Sequence, residues 1–304
     1  MRDCAVTTMT TKKETLGPFL VMLSAMGFGS MALFARLDYA DGVGTSSLLA
    51  MRFLLAAAVL GGWVAMSGRR LPRGRELAGF ALLGVLFAAL AWGYFSALHY
   101  ASSGLVALLV YTYPVLVAIL AALLGFDRFG RAEGLALAVC VLGLAMLLGQ
   151  ATLAGRPAGV LLALLSGSLY AVYILIGSRF ATRTDPLAST FVVLLASALV
   201  HLALASLEGG VVLPHSARGW LALFALAGFS SVMAVAAFLV GMRRIGPTLT
   251  SIVSTLEPVV TVGLGIAFLG ETLSAQSLAG SLLVLGAAVG LAVSRGRATA
   301  PIAE

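Results

Sequence analysis

Ten runs of about 17 to 24 largely apolar residues follow one another along this chain, and nearly every charge falls in the short junctions between them. The runs lie near Gly17–Ala35, Thr45–Met66, Leu77–Leu98, Gly104–Gly125, Glu133–Gly149, Gly159–Ser178, Pro186–Leu207, Leu221–Met242, Gly246–Leu269 and Ser274–Val293. A helix rising 1.5 Å per residue needs about 20 apolar residues to cross the hydrocarbon core. Helices also satisfy every backbone polar group internally, which lipid demands. Short alternating segments of the kind that build a membrane barrel are missing. The reading is an all-α integral membrane protein of ten transmembrane helices. With mean hydropathy +1.06 and 10% charged residues over 304 positions, the chain lacks the polar surface of a soluble domain. The first run is long, interrupted by glycine and followed by Arg36-Leu37-Asp38, so it does not read as a signal peptide.

The basic residues set the orientation. With a cytoplasmic N-terminus, 15 of the 19 fall on the inner side, three (Arg36, Arg156, Arg218) outside, and Arg52 within a span. Both termini are then cytoplasmic. The net charge of +7 becomes a topology signal, and nucleic acid is not a partner.

The two halves align at an offset of 142 to 144 residues. Pro114 and Val115 match Pro258 and Val259, Asp127 matches Glu271, and Val141-Leu142-Gly143 repeats as Val284-Leu285-Gly286. Five spans per half is an odd number, so the second half inserts upside down, as in many secondary transporters. The expected organisation is an N-terminal tail (1–15), a first repeat (16–150), an inverted second repeat (156–295) and a C-terminal tail (296–304).

Ionisable residues inside a span are functional candidates. Glu257 lies mid-span, 11 residues from Gly246 and 12 from Leu269. Thr250, Ser254, Glu257 and Thr261 share one helix face, within about 40° at 100° per residue. Pro258 removes a backbone hydrogen bond beside the acid, as Pro114 does in the other half. Two readings stand for Glu257: a proton site or anchor for a substrate amine, or a protonated packing residue. Trp92, Tyr94, Tyr111, Tyr113, Tyr170 and Tyr173 are mid-span aromatics, away from the interfaces where Trp and Tyr collect. They are cavity candidates, with core packing as the alternative for any single one. Arg52 either snorkels, pairs with a carboxylate or takes a substrate carboxylate. His99 and His201 read as structural, and Gly286/Gly290 as a close helix approach, which favours a monomer.

The only lysines are Lys12 and Lys13, so no Gly-Lys-Ser/Thr phosphate loop exists. No zinc, acyl-serine or paired-cysteine motif occurs either. The chain is expected to be no enzyme and to need no cofactor or metal. Its partners are the lipid bilayer and a small-molecule substrate.

Arg52-Phe53-Leu54-Leu55, Ala97-Leu98-His99-Tyr100, Tyr113-Pro114-Val115, Arg244-Ile245-Gly246-Pro247, Glu257-Pro258-Val259 and Leu269-Gly270-Glu271 stand in this order along the chain. In that order they resemble the ten-helix EamA-type members of the drug/metabolite transporter superfamily. One departure is Phe126-Asp127, where that pattern reads Gly-Glu. The resemblance implies a bacterial inner-membrane exporter of amino acids or other small metabolites. Within the superfamily the chain is most similar to YddG-type exporters of aromatic and other amino acids. Export of lipophilic cationic drugs by proton exchange is the alternative. The cavity is expected between spans 1, 3, 4, 6, 8 and 9.

Overall fold

The computed structural model describes the backbone of residues 3–125, 130–153, 157–180, 184–272 and 274–298. Among them the chain is helical throughout, with no strands. Thirteen α-helices follow in order: α1 (Asp3–Gly29), α2 (Met31–Ala40), α3 (Thr45–Met66), α4 (Arg75–Ala97), α5 (Ser103–Val110), α6 (Tyr113–Leu123), α7 (Arg131–Leu153), α8 (Pro157–Phe180), α9 (Pro186–Leu207), α10 (Ala217–Ala227), α11 (Ala234–Ser254), α12 (Leu256–Leu269) and α13 (Ala275–Ala298). A π-helical turn, Gly228–Met233, joins α10 to α11. Seven helical stretches are long and apolar enough to cross a membrane, and Gly134–Met146, Leu256–Leu269 and Ala275–Gly290 are shorter apolar helices. Phe19, Leu54, Leu82, Leu161, Leu221 and Phe268 stand exposed on the outside of the bundle, the surface lipid would cover.

Packing pairs the two halves. α1 lies against α11, α4 against α8, α3 against α9, α7 against α13, and α5 against α12. Exchanging halves at the sequence offset turns the α1–α11 pair into the α8–α4 pair and sends the α3–α9 and α7–α13 pairs onto themselves.

The course of the chain after α10 follows from three close approaches. Gly27 faces Ala234, Gly17 faces Arg244 and Ile245, and Gly29 faces the carbonyl of Glu257. From Ala234 to Ile245 the chain therefore runs antiparallel to α1, and from Ile245 to Glu257 it returns alongside it. A straight helix over those 23 residues would be about 35 Å long, whereas Gly27 and Gly29 are one half-turn apart. The reversal follows Ile245, where the sequence reads Gly246-Pro247.

The core is not spread evenly. Phe53, Phe95, Leu48, Leu49, Leu98, Leu108, Leu109, Leu223 and Leu226 are fully buried, at or near the end where α3, α5 and α10 begin and α4 finishes. The opposite end has a smaller cluster of Phe80, Leu83, Val192 and Val193. There α4 crosses α9 so closely that a Cβ on Gly84 would meet the Ala196 methyl at 2.5 Å and the Val193 carbonyl at 2.7 Å. Ser197 Oγ donates to the Gly84 carbonyl across the same crossing at 2.7 Å. Gly84→Ala should force the two helices apart and lower stability by about 1–3 kcal/mol, the cost of overpacking. Thermal denaturation in detergent measures it; an unchanged midpoint rejects the tight crossing.

Candidate substrate cavity

Proline creates the site. In both halves a span breaks at the same aligned place: α5 ends at Val110 and α6 begins at Tyr113, while α11 ends at Ser254 and α12 begins at Leu256. Pro114 and Pro258 sit in the first turns of α6 and α12, where a missing N–H is tolerated. The residue four positions back then loses its helical donor. For Pro258 that residue is Ser254, and Tyr111 Oη donates to the Ser254 carbonyl at 2.7 Å. The first break thus repairs the second. Thr261 Oγ1 donates to the Gly29 carbonyl at 2.9 Å, tying α12 to α1.

Glu257 lies at this junction, half-buried, beside the Tyr111 hydroxyl. Thr250, Ser254 and Thr261 of its polar face are buried, so that face points into the bundle. The Ser254 hydroxyl has no hydrogen-bond partner among the described residues. Tyr111 has committed its proton to Ser254, so its oxygen is left as an acceptor. A protonated Glu257 can donate to it; an ionised Glu257 needs another cation or donor. That is the chemistry of a carboxyl that exchanges a proton for a bound ammonium.

Rings continue from this point in a ladder. Centroids lie 5.8 Å apart for Tyr111–Tyr113, 4.5 Å for Tyr113–Tyr170, 6.2 Å for Tyr170–Tyr173 and 5.5 Å for Tyr173–Phe87. Tyr94, Tyr113, Tyr170 and Tyr173 are half-buried although they face other helices. Residues of this kind line an internal space. Tyr173 also borders a cleft of about 260 Å³ between α4, α8 and α9, with Phe80, Thr184, Ser189 and Thr190. The ladder therefore connects that cleft to Glu257.

Of the six aromatic candidates the structure joins Tyr111, Tyr113, Tyr170 and Tyr173 in the ladder, places Tyr94 against Phe95, and sets Trp92 apart. Trp92 is 39% exposed, on an outward stripe of α4 with Leu82 and Val85. Two residues from Tyr94, it points about 200° around the helix from it. Trp92→Leu should leave transport within about twofold of the parent, the effect of an ordinary surface change; a tenfold loss of flux would return Trp92 to the site. Phe87, which carries the ladder onward, had no sequence signal beyond its place on the buried face of α4.

The ends of the bundle are bridged by polar groups from opposite halves. At one end Glu271 accepts from Ser103 N at 2.7 Å and Gly104 N at 3.3 Å, in the buried first turn of α5, where these N–H groups have no partner within the helix. Arg36 pairs with Glu271 at 3.8 Å and donates to the Ala101 carbonyl at 2.7 Å. His99 stacks on Tyr39 with centroids 4.1 Å apart and meets Thr45 Oγ1 at 3.0 Å. Burial first, and then the Arg36 charge, push the His99 pKa below its ordinary value. At the other end Arg69 pairs with Asp185, whose carboxylate also caps α9 through Leu187 N and Ala188 N. Asp127, the aligned counterpart of Glu271, lies outside the described residues. Among the described residues no group of metal-binding side chains is present.

Comparison with known proteins gives this geometry a family. The profile of the EamA-like transporter family matches residues 15–149 and again 157–293. The uncharacterized inner membrane transporter YedA of Escherichia coli K12 is 32% identical over 229 residues, 74% of each chain. The threonine/homoserine exporter RhtA of Salmonella typhimurium LT2 is 26% identical over 280 residues, 90% of each chain. A solved crystal structure, 22% identical, superimposes with a TM-score of 0.64 over 90% of this chain and 97% of its own, showing the same fold. Neither named relative points to the aromatic branch suggested by the sequence resemblance. The chain belongs to the EamA-like transporter family of the drug/metabolite transporter superfamily, and it is a multi-pass membrane transporter.

Proposed function

We propose that this transporter exports amino acids from the cytoplasm across a bacterial inner membrane, by alternating access between two inverted five-helix repeats, residues 16–150 and 156–295. The observation that carries the reading is Glu257, held half-buried at a broken helix beside Tyr111 and at the head of the tyrosine ladder. The self-mapping helix pairs and the reversal after Ile245 support ten spans in two repeats. The distribution of basic residues supports a cytoplasmic side for Arg69 and the cleft and an outer side for the Glu271 bridge. The dense core around α3, α5 and α10 then closes the outer end, so the chain rests with its cleft towards the cytoplasm.

Substrate enters between α4, α8 and α9, passes Tyr173 and Tyr170, and reaches Tyr113. Its amine replaces the proton of Glu257 and takes the carboxylate as partner, while the tyrosine faces and hydroxyls hold the rest. The hydroxyl-rich lining suits small polar amino acids such as those named for the threonine/homoserine relative. The rings suit aromatic ones equally.

The continuous ring ladder favours a second reading, export of lipophilic cations in exchange for protons. Purified protein in liposomes tests both. Labelled threonine and phenylalanine, with and without a pH gradient, should cross faster than in protein-free liposomes. Flux of a lipophilic cation dye alone would replace the leading reading with the second. No flux of either class would reject both.

A further inference from the structure

Arg52 is the one arginine inside a span, and its surroundings are unusual for a buried cation. It is 5% exposed, two turns into α3. Its Nε donates to Ser231 Oγ at 2.8 Å and its Nη2 lies 2.9 Å from the Met31 sulfur, a weak acceptor. The guanidinium carbon lies 5.0 Å from the Phe53 ring centroid and 5.1 Å from that of Phe95. Among the described residues it makes no ion pair. A guanidinium has five donors, and taking it out of water without an anion is costly. The acids of the neighbourhood are committed elsewhere: Glu208 to Ser46 Oγ at 2.7 Å, Glu257 to the Tyr111 junction.

The support around it is well ordered. Ser231 belongs to the π-helical turn Gly228–Met233, and it donates in turn to the Leu226 carbonyl at 2.9 Å. Such turns recur at functional sites because they offset one helical register from the next. Here the turn fixes the Nε edge, and the two phenylalanine rings favour the cation through their faces. Among the described residues the remaining N–H groups have no protein anion to point at. Tyr94, half-buried on α4, lies within electrostatic reach of both Arg52 and Glu257. Tyr94 therefore stands with a cation, Arg52, and an acid, Glu257, both within reach of its hydroxyl.

We propose that Arg52 is the anion subsite of the cavity and takes the carboxylate of the substrate, reached from the cavity side past Tyr94. The inference rests on the amino-acid reading for its physiological ligand, yet it concerns the carboxylate alone. A guanidinium edge matches a carboxylate in two parallel hydrogen bonds, which a carboxamide cannot reproduce.

The test is ligand stabilisation of the purified full-length protein, followed by thermal denaturation. The probes are threonine, threoninamide and 3-hydroxybutyrate, together with phenylalanine, phenylalaninamide and 3-phenylpropionate. Wild type should prefer each acid over its amide by tenfold or more in half-saturating concentration. Arg52→Gln should erase that preference and Arg52→Lys should keep part of it. Amides binding wild type as well as acids overturns the subsite, and so does an Arg52→Gln variant that keeps the preference. The wild-type arm decides alone if the variants fail to fold. Should the carboxylates lacking an amine bind in an Arg52-dependent way while no amino acid does, the amino-acid reading falls and the subsite stands. Equal binding of amino acids and amides does the reverse: the subsite falls and the amino-acid reading stands. No binding by any probe rejects both.

Discussion

Glu257→Gln should cut amino-acid flux by about ten- to a hundredfold and remove any response to an imposed pH gradient. The magnitude follows from one charge-assisted hydrogen bond of about 1.5–3 kcal/mol between carboxylate and ammonium, at roughly 1.4 kcal/mol per factor of ten. The glutamine is nearly isosteric and can still donate to the Tyr111 oxygen, so the fold should survive with its melting midpoint little changed. That separation matters. Loss of flux together with loss of stability would mark Glu257 as a packing residue, whereas full flux with an unchanged pH response would exclude it from transport. Flux in liposomes and thermal denaturation on the same preparation distinguish these outcomes.

Glu271→Ala should release the end of the bundle that the wild type holds shut. The residue satisfies two N–H groups at the start of α5 and pairs with Arg36. The Arg36 pair is partly solvent-exposed and contributes little. The backbone bonds to a carboxylate contribute about 1.5–3 kcal/mol. Since they join the two halves only while this end is closed, their loss should shift the conformational equilibrium about ten- to a hundredfold towards opening. Val262 lies against Gly104 just inside the bridge. In a background with Cys4 and Cys140 replaced by alanine, a Val262→Cys probe should react at least tenfold faster with an impermeant thiol reagent when Glu271 is also changed. Equal labelling rates would show that the bridge does not control closure at this end.

Much of this architecture was legible in the residue order because lipid imposes it. Seven long apolar stretches followed from apolar length, and the two breaks from prolines at aligned places. Glu257 stood out as a candidate because ionisable residues inside a span are rare, with a protonated packing residue as the other reading. Trp92 was grouped with the other aromatics along the chain, but two residues from Tyr94 on the unbroken helix α4 it points about 200° around the helix from it. The groups that close the ends were not legible. Arg69 with Asp185 and Glu271 with Ser103 are separated by 116 and 168 residues, and nothing local in the sequence couples them. The π turn was equally hidden, since Gly228-Phe229-Ser230-Ser231 carries no signature that separates five-residue from four-residue hydrogen bonding. Sequence alone left Arg52 free to reach for lipid headgroups, whereas its neighbours enclose it.

The repeat is duplicated in shape but not in charge. Where α12 carries Glu257, the aligned residue before the other proline is Tyr113, which stays neutral. Interchanging the conformations of the two halves therefore does not return the molecule to an electrically equivalent state. On the proposed alternating-access mechanism only one half carries the acid as the cavity turns, and membrane voltage would act on the turnover through that half. The charge asymmetry of the duplicated scaffold thus rests on a single side chain at this junction.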